Sequence, residues 1–292
     1  MTHEEYQYIN LMKDCIETGT QSEDRTGVGT KGIYGAMMKF DLSDGQIPLF
    51  TTKKVFWRAV VEELLWFISG ETDSYVLEDS GINIWQGNTS REFLDRVGLH
   101  DVPEGDIGTG YGFQWRNWNG DYRAWIEQGE RTGVDQFANL LDGLKSDPNS
   151  RRHVLTAWNV SQIKGAALPP CHAMSTFKVL GGKLHCTVLC RSQDLFLGTP
   201  FNVASYALLT HMIAKLHLGI EAGSLTWFGS DVHVYNTHFE QCREQMTREP
   251  YKFPTVDFEF GDSEPNIFSM TNKNIVLKDY KSYSSIKAEM AI

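Results

Sequence analysis

The chain has 292 residues, of which 41% are hydrophobic and 22% charged, so it has apolar material for a sizeable core and a length near the upper end for one domain; one domain over residues 1–292 is expected. Its formal charge of −10 argues against a nonspecific nucleic-acid or membrane-surface binder, which needs excess Lys and Arg, so any anionic ligand must meet a local arginine cluster. No run of eighteen apolar residues occurs, residues 1–7 are polar and acidic where a signal peptide would be basic and then apolar, and the cysteines (Cys15, Cys171, Cys186, Cys190, Cys242) form an odd set without CxxC spacing; a soluble cytoplasmic protein with reduced thiols and no metal is expected.

Along the chain, residues 3–18 place apolar side chains at three- and four-residue spacing and read as an amphipathic helix. A glycine-rich turn region follows from Asp24 to Gly32, and then a strand from Tyr34 to Leu42. Further helices are predicted over 54–69, 135–146, 203–218 and 236–247, with β-rich runs at 153–158, 173–180, 183–191, 225–229 and 254–260. The polar stretches 86–106 and 119–133 read as surface loops. Helices and strands interleave without a strict βαβ repeat, which predicts an α+β class: a layered fold on a mixed β-sheet with flanking helices.

Cys171 follows Pro169 and Pro170 and precedes His172. A thiol on a stiff turn beside an imidazole suits a nucleophile, which needs a fixed direction and a lowered pKa; a free cysteine is otherwise a small buried hydrophobe. The other four cysteines fall in strand or helix patterns and read as structural. In the run 57–69, Glu62 is four residues after Arg58 on a solvated face, whereas Glu63 shares the apolar face with Val60 and Phe67. A carboxyl turned toward a core has a raised pKa and can exchange protons near neutrality, or it is a structural acid with a buried partner. Arg151 and Arg152 are consecutive, and Arg191-Ser192 ends a strand with Asp194 close behind; guanidinium groups grip phosphate bidentately, though an isolated arginine is more often a surface charge. The run Gly108-Thr109-Gly110-Tyr111-Gly112 lacks the GxGxxG spacing of a phosphate loop and reads as close backbone packing. Asp231, His233 and His238 have no HxxxH or Cys/His tetrad beside them, so no metal is assigned.

Leu168-Pro169-Pro170-Cys171-His172, then Arg191-Ser192-Gln193-Asp194 through Gly198-Thr199-Pro200-Phe201-Asn202 to Tyr206, resemble the signature of the thymidylate synthase family. Asp24-Arg25-Thr26-Gly27, Thr51-Thr52-Lys53, Glu63–Phe67, Ile84-Trp85, Tyr111–Arg116, Arg151-Arg152, Asp231–Tyr235 and the closing residues 287–292 resemble it too, in collinear order.

The resemblance implies that Cys171 adds to carbon 6 of the pyrimidine of deoxyuridine monophosphate (dUMP). Carbon 5 would then attack the methylene of 5,10-methylenetetrahydrofolate, and that methylene carbon would end as the methyl group of dTMP. It implies that Glu63 organises proton transfers at the O4 side with Tyr111 and His172, and that Asn202 reads the base, matching uracil. Arg25, Arg191 and Ser192 would hold the phosphate, with Asp194 in the same substrate site. Arg151 and Arg152 would reach over from a second subunit, in a homodimer whose sheets pack across the interface. His233 and Tyr235 would bind the 3′-hydroxyl. Ile84, Trp85, Leu168, Asp194, Gly198, Phe201 and Ile292 would contact the folate, and Lys53 its glutamate tail.

This sequence departs from the family pattern at several positions. Cys190 stands where most members have Gln, Gln86 where many have Asp, Thr109-Gly110 for Pro-Val, Ser230 for Gly, and Asn88 where some have a second Trp. The alternative on the same fold is a dUMP hydroxymethylase, in which water captures the exocyclic methylene.

Overall fold

The computed structural model describes residues 2–261, 264 and 266–291. In chain order, helix α1 (Tyr6–Glu17) leads into strands β1 (Thr20–Ser22) and β2 (Thr30–Asp41), and helix α2 (Trp57–Ser69) follows. Short helices α3 (Tyr75–Glu78), α4 (Gln86–Thr89), α5 (Arg91–Arg96), α6 (Tyr111–Arg116) and α7 (Tyr122–Gln128) lead to α8 (Gln136–Ser146). Then come β3 (Val154–Thr156), β4 (His172–Leu180), β5 (Lys183–Asp194), α9 (Gly198–Met212), β6 (Glu221–Tyr235), α10 (Phe239–Met246), β7 (Thr255–Phe258) and β8 (Ile275–Lys278).

Six strands form one sheet in the order β1-β2-β6-β5-β4-β3, and β7 and β8 form a separate antiparallel pair. Among the described residues only β5 and β6 run parallel, joined through α9, so the sheet is mixed and the fold is α+β. The β4–β5 hairpin turns on Gly181 and Gly182, both at positive φ (59° and 76°), the backbone that a two-residue primed turn requires. One sheet face carries the core: Met38, Phe40, Leu184, Val188, Leu225 and Trp227 are fully buried there. Across the other face run Met37, Phe228, Leu189 and Met174, paired in register on β2, β6, β5 and β4, and each is at least 36% exposed.

Several elements differ from their predicted bounds. Helix α9 begins at Gly198, five residues before the expected start, because Pro200 lies in its first turn, where a missing N–H costs nothing. It is buried on nearly every side from Val203 to Met212, and residues Ile213–Leu218 continue it as a π-helical turn. Strand β6 spans fifteen residues where 225–229 were expected, since polar side chains at its far end and Gly223 and Gly229 interrupt the hydrophobic pattern. The stretch 86–106 is not a surface loop: α4 and α5 occupy it, and Phe93, Leu94 and Val102 form a satellite core with Ala167. The stretch 119–133 lies at the surface as expected but carries α7, capped by the Asp121 side chain. Among the described residues no helix is long and apolar enough to cross a membrane.

Candidate active site

The parallel pair β5 and β6 ends at a cavity of about 620 Å³, a usual size for a small-molecule site. From the end of β5 come Arg191, Ser192, Gln193 and Asp194; from the end of β6 come Asp231, His233 and Tyr235 at two-residue spacing, which puts them on one face while Val232 and Val234 point into the core. Cys171 sits immediately before β4, which pairs with β5, so the thiol arrives beside Arg191. Glu63 enters from the middle of α2, Tyr111 from the first residue of α6, and Gly198 and Asn202 from the start of α9.

The turn bearing the thiol is braced from several sides. The backbone N–H of Cys171 donates to the Tyr111 hydroxyl (2.7 Å), and the Arg191 N–H donates to the Cys171 carbonyl (2.8 Å). Arg191 also donates from Nε to the Pro170 carbonyl (3.0 Å) and from Nη2 to that of Pro169 (2.6 Å). Its Nη2 stands 3.9 Å from Cys171 Sγ. Burial pushes the Cys171 thiol above its ordinary value, and the guanidinium of Arg191, with help from Tyr111 and Arg25, pulls it part of the way back. The lowered pKa expected from sequence is therefore not present: desolvation outweighs the nearby positive charge.

Burial raises the Glu63 carboxyl to about 7, although Trp85 Nε1–H donates to its Oε1 (2.9 Å) and opposes the shift. This agrees with the apolar facing read from sequence, and it leaves the group able to gain or lose a proton near neutrality. Glu62, by contrast, accepts from Asn272 and lies 3.7 Å from Arg58. His172 is pushed down to about 3 by burial, so it stays neutral, and its Nδ1 is 2.9 Å from the Tyr206 hydroxyl. Burial lifts Tyr235 to about 12 and keeps it a neutral phenol. The Nδ1 of His233 lies 2.8 Å from Asp231 Oδ1, a contact that fixes the orientation of the ring. Asp194 accepts from the backbone N–H of Phe196 (2.8 Å) and shapes the turn into α9.

The cavity thus gathers Cys171, Glu63, Tyr111, His172, Asn202, Arg25, Arg191, Ser192, Asp194, His233, Tyr235, Trp85, Leu168 and Gly198. It does not gather Arg151 and Arg152, which are exposed ahead of β3, nor Ile84 and Phe201, which pack against the core. Lys53 is also away from the cavity: it is buried, donates to the Phe196 carbonyl, lies over the Phe196 ring and is pushed down to about 8 by burial. Ile292 lies outside the described residues. The expected functional residues omitted Asp24, Trp158 and Gln193, which also line the cavity, as does Asp231. Asp24 accepts from Thr26 and Gly29 and so holds the Arg25 loop, a role legible from its place next to Arg25. Trp158, stacked 5.2 Å from the Arg191 guanidinium, had no sequence signal at all. Among the described residues no group of His, Cys, Asp and Glu is placed to hold a metal ion. His238 instead donates to the Glu289 carbonyl and ties down the carboxy-terminal segment.

An α+β fold that sets a braced thiol, a near-neutral carboxyl and arginines around one cavity defines an enzyme of the nucleophilic group-transfer class. Residues 6–292 match the family model described as thymidylate synthase. The chain is 45% identical over 292 residues to the thymidylate synthase of Ascaris suum, covering 100% of this chain and 98% of that one. It is 44% identical to the thymidylate synthase of Herpesvirus ateles, with 99% of each chain covered. A bifunctional dihydrofolate reductase-thymidylate synthase of Zea mays matches at 45% identity over 99% of this chain and 55% of that longer protein. The chain belongs to the thymidylate synthase family.

Proposed function

We propose that this chain methylates carbon 5 of dUMP, yielding dTMP, with the carbon unit and the reducing hydride both supplied by 5,10-methylenetetrahydrofolate. The observation that carries this reading is the convergence of the Cys171 thiol, the Arg191 guanidinium, the Asn202 amide and the Glu63 carboxyl on one cavity. Uracil carbon 5 is too weak a nucleophile alone. Attack of the Cys171 sulfur on carbon 6 forms a C–S bond and pushes the ring electrons toward carbon 5 and O4, and that bond breaks again when the methylated product leaves. Arg191 beside the sulfur favours the thiolate on both occasions. Glu63 moves protons on the O4 side through ordered water, with neutral His172 and Tyr111 holding that water by hydrogen bonds.

Asn202 accepts from N3–H and donates to O4. Arg25, Arg191 and Ser192 take the phosphate, with Asp194 ordering the adjacent turn. His233 Nε2 and Tyr235 take the 3′-hydroxyl. The folate lies along Trp85, Leu168 and Gly198, with Ile84, Phe201 and Ile292 completing its surroundings. Flat apolar walls of this kind suit a pterin ring.

The same reading makes the protein a cytoplasmic homodimer. The apolar row Met37, Phe228, Leu189 and Met174 on the outer sheet face supports it, because four such side chains in register form a contiguous patch of the sort that marks an interface. Arg151 and Arg152 are exposed and away from their own cavity, which suits donation to a partner's phosphate site.

Incubation with dUMP and methylenetetrahydrofolate, followed by mass analysis, tests the reaction. A methyl gain with dihydrofolate formed is expected; a hydroxymethyl gain, or an unaltered nucleotide, would overturn it. Cys171→Ala is expected to bind dUMP yet give no turnover.

A further inference from the structure

One contact in the cavity joins two uncharged side chains whose polarity carries information. Gln193, near the end of β5 and only 2% exposed, donates from Nε2 to Asn202 Oδ1 at 2.8 Å. Its own Oε1 is buried without a protein partner among the described residues. Gly198 stands beside both amides: a Cβ there would lie 3.0 Å from Gln193 Nε2 and 3.7 Å from Asn202 Oδ1. The bare Cα leaves the space in which the pair meets.

An asparagine amide is nearly symmetric in shape and opposite in polarity at its two ends. Half a turn exchanges donor for acceptor, and the two pyrimidine bases differ by that same exchange. Uracil presents a donor at N3 and an acceptor at position 4, whereas cytosine presents an acceptor at N3 and a donor at position 4. The Gln193 N–H occupies one lone pair of Asn202 Oδ1, leaving the other for N3–H and leaving Nδ2 to donate to O4. Turning Asn202 alone would set its NH2 against the Gln193 NH2, two donors facing each other in a buried place. Turning both amides would strand the Gln193 NH2 where Oε1 now lies buried, and orphaned N–H groups are rarer than orphaned carbonyls.

We infer that Gln193 is a positioning residue for base choice: it sets the amide sense of Asn202 so that the chain takes a uracil nucleotide and refuses a cytosine one. The inference rests on Asn202 facing the base, as proposed above. Equilibrium binding of dUMP and dCMP to the complete chain, and to Gln193→Leu and Gln193→Glu, tests it. Leu fills similar space without the donor, so Asn202 turns freely; the preference for dUMP is expected to fall about tenfold, the worth of one matched hydrogen bond, through tighter dCMP binding. Glu offers acceptors to the Asn202 NH2 and is expected to lower the preference further. An unchanged preference in both variants, or equal losses for the two nucleotides, would overturn the role of Gln193 and leave the proposed function standing. An unsubstituted chain that binds neither nucleotide would overturn both.

Discussion

At the scale of single residues, two ionisable groups in the cavity are moved by burial in ways that solution measurements can read. The Cys171 thiol lies above its ordinary value, so the reactive thiolate population grows as pH rises past the usual thiol range. Alkylation by iodoacetamide is therefore expected to accelerate with pH and still to be climbing above pH 9, and Arg191→Ala is expected to slow it by removing the nearby cation; a rate that levels off near neutrality would contradict this. For Glu63, folding favours the protonated form, since burial raises the carboxyl from 4.5 to about 7. The unfolded chain ionises first as pH climbs, so the folded state loses stability between those values and carries the whole penalty above pH 7. Glu63→Gln escapes that penalty and is expected to be more stable at pH 8 by up to about 3 kcal/mol, with little change at pH 4 and with turnover lost. Thermal melts at the two pH values check the sign.

The packing of whole elements rests on buried polar staples as well as apolar faces. Glu5, fully buried just ahead of α1, accepts from the backbone N–H and hydroxyl of both Thr51 and Thr52, and so pins α1 to the segment before α2. Gln245 of α10 donates to the same Thr52 hydroxyl (2.9 Å), bringing a third element to the knot. Glu5→Leu would strand several buried donors at once. A loss of about 3–5 kcal/mol in denaturant unfolding is expected, and a loss under 1 kcal/mol would show that water replaces the carboxylate. The bounds of α9 and β6 carry a related lesson. Periodicity finds a helix or strand where one face is apolar; α9 is buried nearly all round, and β6 ends in side chains facing a cavity, so both extend beyond the pattern that revealed them.

For the whole molecule, the exposed apolar row across the outer sheet face is the feature that a single chain leaves unsatisfied. Phe228→Asp or Leu189→Asp is expected to convert a dimer to monomer in analytical ultracentrifugation and to abolish activity. Arg151→Ala with Arg152→Ala is expected to weaken dUMP binding about tenfold or more, although neither side chain lines its own cavity. Full affinity in that double variant would remove the case for a shared site.

The local sequence was enough to point to the stiff Pro-Pro-Cys turn, the apolar facing of Glu63 and the longer helices α1, α2, α8, α9 and α10, because each depends on neighbours within a few residues. Resemblance then ordered the remaining cavity residues along the chain. Folding decided the rest: that desolvation outweighs charge at Cys171, that Arg191 braces the prolines as well as facing the cavity, that Lys53 turns inward, and that Gln193 meets Asn202. Each of these depends on what two distant segments bury between them, and burial is set by the packed structure as a whole, which no window of sequence contains.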